Sequence, residues 1–160
     1  VPTAHRLVTV PDGVSKTRLL LQTAIQGALD PLVRDVATKL AASTTSDVER
    51  LRRIHRFVRD GVPYFREPIE MFAEPGHTLR HGGDCDDHTS LIGALAWALR
   101  YPFAVEDVGD PRDPEHYTAR VGYPAHDSPT GDRHTRWIPI ETTLPTLFSE
   151  HVRDAARRLR

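Results

Sequence analysis

The order of patterns along the chain predicts an α+β domain, in which N-terminal helices and a cysteine-bearing helix pack on an antiparallel β-sheet. Three observations carry this. Capped, amphipathic helical segments fill the N-terminal part. One apolar run, Thr89 to Leu99, follows a glycine turn and suits a buried helix. Strand-like segments come only after that run, whereas a doubly wound sheet would alternate strands with helices. The 160 residues suit a single domain, residues 1–160, with its own core.

Each element has its own reason. His5 to Val10 reads as a short strand ended by the turn residues Pro11-Asp12-Gly13. Over Lys16 to Ala28, Leu20, Ala24 and Gly27 favour a helix against a buried strand through Leu19-Leu20-Leu21. Asp30-Pro31 is a helix start, with Leu32, Val33, Val36, Ala37 and Leu40 on one face. Ser46-Asp47-Val48-Glu49 has capping-box spacing and opens a helix carrying Val48, Leu51, Ile54, His55 and Val58, stopped by Gly61. Pro63, Pro68 and Pro75 predict an extended, loop-rich stretch from Gly61 to Gly83. Phe103 to Gly109, His116 to Tyr123 and Thr135 to Thr142 read as strands, the last two joined by a polar loop over Pro124 to Arg133. Pro145 to Arg160 closes the chain as a helix.

A hydrophobic content of 39% with 27% charged residues is that of a globular protein. The formal net charge of -1 gives no bias towards nucleic acid or an anionic membrane. No apolar run approaches the roughly 18 residues that span a bilayer, and no leader is recognisable, so a cytoplasmic location is expected. A single cysteine allows no internal disulfide, so its thiol is either buried filler or functional.

That cysteine stands in Gly82-Gly83-Asp84-Cys85-Asp86-Asp87-His88, where a glycine turn gives way to the apolar helix. A helix N-terminus presents backbone N–H groups and partial positive charge, both favourable to a thiolate. Gly83 permits close backbone approach, Asp84 is placed to cap the helix, and Asp87 to complete a box-like pair. Asp84, Asp86 and Asp87 oppose ionisation, so an imidazolium partner has to outweigh them. Of the nine histidines, His126 and His134 lie in the polar loop, and His5, His55 and His151 suit the faces or rims of amphipathic elements. His116 lies on a strand, sharing a face with Thr118 and Arg120. Glu141, beside Trp137, Ile138 and Ile140, lies on another largely buried strand, where a carboxylate needs a partner. The far nitrogen of His116 is the expected one, ahead of any bond from Asp86 or Asp87. In order, Cys85, His116 and Glu141 are nucleophile, base and orienting acid.

The segments Arg59-Asp60-Gly61-Val62-Pro63-Tyr64, Thr78-Leu79-Arg80-His81-Gly82-Gly83-Asp84-Cys85-Asp86-Asp87 and Trp137-Ile138-Pro139-Ile140-Glu141-Thr142-Thr143, with the strand histidine between, resemble the transglutaminase-like superfamily, in particular its short bacterial and phage-borne members. The similarity covers roughly residues 30–145. It implies a papain-like core, Cys85 as nucleophile and His116 as base, with Gly83, Asp84, Asp86, Asp87 and Trp137 supporting them. The acid of that family is usually Asp, and Glu141 reaches about one bond further. The implied reaction is acyl transfer from a protein or peptide amide through a thioester, resolved by water or by an amine. No metal or other cofactor is expected, since no calcium-loop spacing occurs. Two alternatives have other chemistry. One is a zinc site from His77, His81, Cys85 and His88, disfavoured by the Gly82-Gly83 break and the acidic neighbours. The other is a catalytically degenerate binding or assembly module on the same fold.

Overall fold

The computed structural model describes residues 6–7, 13–66, 71–108, 116–143, 148–150, 154 and 157–158. In chain order these form β1 (Arg6–Leu7), α1 (Gly13–Gly27), α2 (Pro31–Ala41), α3 (Asp47–Gly61), β2 (Met71–Phe72), α4 (Pro75–His81), α5 (Cys85–Ala98), β3 (Phe103–Asp107), β4 (Tyr117–Tyr123) and β5 (Arg136–Ile140). The α+β class is as the sequence predicts.

The centre of the molecule is α5. Leu91, Ile92, Ala94, Leu95 and Ala96 are at most 1% exposed although they point in different directions, and a helix apolar all round has to be enclosed all round. The first four helices and the sheet enclose it, α1 and β4 most extensively. In α2 the Asp30 carboxylate accepts from the Leu32 N–H at 2.8 Å, Pro31 fills the first turn, and Val33, Ala37 and Ala41 face inwards. In α3 the Ser46 hydroxyl caps the Glu49 N–H at 3.2 Å, while the Glu49 carboxylate turns to Arg52 and Arg53 instead of closing the expected box. Leu51, Ile54, His55 and Val58 form its buried face.

The sheet is antiparallel in the order β3-β4-β5, with Ala119 paired to Val105 on one side and Ile140 on the other. Phe103, Ala119, Val121 and Ile140, none more than 1% exposed, join the core around α5. A second antiparallel pair, β1 with β2, sets Arg6 opposite Phe72.

Several boundaries differ from expectation. The stretch before the cysteine contains β2 and α4, because Pro75 stands at the start of a helix, where its missing N–H costs nothing. His116 precedes β4 and Glu141 follows β5, so both site residues stand just outside the ladder rather than within it. Of the expected His5–Val10 strand, Arg6 and Leu7 are strand; of the expected Pro145–Arg160 helix, Asp154, Arg157 and Arg158 are helical, and the rest of both falls outside the described residues or, at 148–150, outside the helix. Among the described residues no helix is long and apolar enough to cross a membrane.

Candidate active site

The turn into α5 is built from glycine and aspartate. Gly82 ends α4 at φ +83°, a conformation that favours glycine, and its N–H bonds Thr78 O at 2.7 Å. A Cβ on Gly83 would run into the Asp87 carboxylate. Tyr64 and Gly83 form a parallel bridge, with Gly83 N–H on Pro63 O and Phe65 N–H on Gly83 O, both at 3.1 Å. Asp84 caps the amides of Asp86 and Asp87 at 3.0 and 3.4 Å, and Asp87 accepts the Asp84 N–H at 3.3 Å, which is the expected capping box. The other oxygen of Asp87 accepts the buried Ala73 N–H at 2.9 Å and ties the segment after β2 to α5. Cys85 is thereby the first residue of the helix.

Tyr117 links this turn to the sheet. Its backbone N–H donates to the Cys85 sulfur, and its carbonyl accepts the Thr89 hydroxyl at 3.1 Å, one helical turn along. His116 is therefore one peptide unit from the group that touches the thiol. Its Nε2 donates to Glu141 Oε2 at 2.6 Å, which leaves Nδ1 of the neutral ring as the basic nitrogen. The structure thus brings Cys85, His116 and Glu141 to one end of the sheet.

Glu141 is held from four directions. Its Oε1 accepts the Thr143 N–H at 2.6 Å and the Thr143 hydroxyl at 2.7 Å, and its backbone carbonyl accepts the His55 Nε2–H at 2.9 Å. The next residue, Thr142, bonds His88 Nδ1 at 3.0 Å. His88 Nε2 donates to Pro63 O at 3.3 Å, so its Nδ1 accepts from the threonine. Three histidines from separate segments therefore fix one tripeptide. His55, expected on the face or rim of its helix, is on the buried face and 2% exposed, and His88, considered as a zinc ligand, is 1% exposed with both nitrogens engaged.

The electrostatics of the two halves differ. Burial is the largest single influence on His116 and pulls it down, but the hydrogen bond and charge of Glu141 together raise it above its ordinary value. Burial likewise pushes Glu141 up, and the His116 and Thr143 bonds outweigh it, leaving the carboxyl below its ordinary value. The pair is therefore matched for an imidazolium on one side and a carboxylate on the other. Cys85 goes the opposite way from the thiolate that the helix N-terminus suggests. Burial first, then the charge of Asp86, push its thiol up to about 12, against the Tyr117 N–H, which favours ionisation. The thiol donates to Asp86 Oδ1 at 3.6 Å.

Asp86 is not a surface carboxylate. It is 3% exposed, and its second oxygen is 2.9 Å from Nζ of Lys16, itself 5% exposed. The Lys16 ammonium lies over the rings of Tyr117 and Phe72, 4.7 and 5.4 Å from their centroids. Nothing in the α1 periodicity marks Lys16; the signal available was three acidic residues around a buried cysteine, which demand a cation. Tyr64, half exposed, stands edge-on to His88 at 5.9 Å, and burial pushes its phenol up.

Trp137 pairs with Gly122 and stands on β5 four residues before Glu141. The zinc set is not gathered: among the described residues, the ligand atoms close enough to share an ion belong to Asp84, Cys85 and Asp86, with Asp84 capping the helix and Asp86 on Lys16. No protein-family model, curated protein or solved structure matches the chain, and its chemistry is read from these side chains.

Proposed function

We propose that the protein performs cysteine-dependent acyl transfer on a peptide or glutamine-type amide, in the manner of transglutaminase-like domains with a papain-like core. The observation that carries this is the 2.6 Å bond from His116 Nε2 to Glu141, made one peptide unit from the amide that contacts the Cys85 sulfur. His116 Nδ1 takes the thiol proton as sulfur attacks the carbonyl carbon, and the Cys85 backbone N–H at the start of α5 stabilises the developing oxyanion. The C–N bond breaks, the amine leaves with the proton from His116, and a thioester remains. Water or an amine then attacks the thioester and gives its proton to His116 Nδ1, the C–S bond breaks, and the sulfur recovers that proton from the imidazolium. A thiol pushed up to about 12 requires that proton transfer within the attack, since no standing thiolate serves at neutral pH.

The test uses a blocked Gln-Gly dipeptide with hydroxylamine. Release of ammonia with formation of hydroxamate supports acyl transfer, and intact mass spectrometry should trap an acyl adduct on Cys85 that is absent from Cys85→Ala and His116→Ala. The raised thiol favours one other reading, a binding module that retains the fold without turnover. Absence of any adduct on dipeptide, casein and small thioesters alike would favour that module.

A further inference from the structure

Asp86 touches two groups at once: Oδ1 receives the Cys85 thiol at 3.6 Å, and Oδ2 binds the Lys16 ammonium at 2.9 Å. Lys16 and Asp86 are nearly without solvent contact, and Cys85 is half-buried. A carboxylate so buried stays ionised only beside a cation, and Lys16 is delivered by α1. The Phe72 and Tyr117 rings confine the ammonium, so it cannot withdraw to solvent as a surface lysine does.

We propose that Lys16 is a positioning residue for Cys85: by holding Asp86 ionised and turned towards the thiol, it keeps the resting proton on sulfur. This rests on the acyl-transfer reading for its purpose, which is to keep the nucleophile masked until His116 takes the proton during attack. The charged and titratable groups around this turn come from several elements. Asp84 caps α5 and Asp86 lies in its first turn, with Lys16 on α1, Tyr64 on the segment after α3, His116 before β4 and Glu141 after β5. Asp107 on β3 acts on His116. Asp86 contacts both the sulfur and a buried cation.

The experiment measures the rate of Cys85 alkylation by iodoacetamide from about pH 5 to about pH 10, alongside thermal melting, and needs no substrate. Removing a like charge at this range should move the ionisation midpoint by at least about one pH unit. Asp86→Asn, nearly isosteric, should therefore react about tenfold faster than wild type at neutral pH. Lys16→Met should also react faster below about pH 7, because an unpaired buried Asp86 takes up a proton, and Lys16→Arg should restore the wild-type profile. If Lys16→Met does not fold, Asp86→Asn decides. An Asp86→Asn profile that overlays wild type, or a Lys16→Met protein slower than wild type below about pH 7, overturns the proposal. Faster alkylation in these variants with no turnover by wild type would leave Lys16 in its role and remove acyl transfer.

Discussion

Thr143 binds the same oxygen of Glu141 twice, through its N–H at 2.6 Å and its hydroxyl at 2.7 Å, and so turns the other oxygen towards His116. Glu141 stands just beyond the end of β5, so these bonds rather than the strand ladder set the direction of its side chain. The pair is thus defined by two threonine donors as much as by the histidine.

Removing the hydroxyl should loosen it. Thr143→Val keeps the N–H but leaves one oxygen of a 3%-exposed carboxylate short of a donor. A stability loss of about 1.5–3 kcal/mol is expected, the range for hydrogen bonds to charged groups. Urea denaturation checks the loss, and an NMR titration should show His116 altered.

Glu141→Gln should change the pH dependence of stability in a defined window. His116 is raised in the folded state, so its contribution is complete below the unfolded value of about 6.5 and fades as pH rises through the folded one. Glu141 is lowered, so its contribution is complete above its unfolded value of about 4.3 and fades as pH falls through the folded one. The gap between wild type and Glu141→Gln should therefore be widest at about pH 5–6 and narrower at about pH 8. A gap that grows steadily with pH contradicts the pairing.

His55 and His88 should make the protein acid-sensitive. Burial, the first cause for each, lowers both below the ordinary value, so the unfolded chain takes up protons that the folded one refuses. Stability from these two is present above about pH 6.5 and is lost as pH falls below it. Replacing either by Gln should flatten the decline between about pH 6.5 and about pH 5. Equal slopes in wild type and both variants would show that they titrate freely.

The turn into α5 should reject even one methyl group. Gly83→Ala drives a Cβ into the Asp87 carboxylate, which also holds the Ala73 N–H. The expected cost is about 1–3 kcal/mol. Asp84→Asn, by contrast, should be nearly neutral in stability, with Asp84→Ala losing about 0.5–2 kcal/mol. Thermal melts of the three variants give the ranking.

Much of this was legible because it is local. Asp30, Ser46 and Asp84 announce helix starts within a few residues of the groups they cap, and the apolar run after Cys85 needs no partner to be read as buried. The meeting of His116 with Glu141 followed from their placement on separate late strands, although both fall just outside the ladder. Other features depend on contacts between distant segments. Pro75 read as a breaker because a proline looks the same before a helix as inside a loop. Nothing near Lys16 in the sequence marks its burial, which comes from its ion pair with Asp86 across α1 and α5. His55 and His88 gave no sign of which carbonyl or hydroxyl they would find. The direction of Cys85 ionisation turned on burial, which opposes the helix N-terminus and which no spacing reveals.

The polar loop over residues 124–135 joins β4 to β5 at the Tyr123–Arg136 end of the hairpin, whereas Glu141 follows the Ala119–Ile140 end. Since the tripeptide of Glu141, Thr142 and Thr143 is anchored by His55, His88 and His116, its place is dictated by helices and by the base of β4 rather than by the length of that connection. The loop is instead tied to the segment between α5 and β3, with His126 N–H on Arg100 O at 2.8 Å and Phe103 N–H on Pro129 O at 2.9 Å, so the two ends of one hairpin are moored to different parts of the fold and a change at the tip leaves the acid with its imidazole.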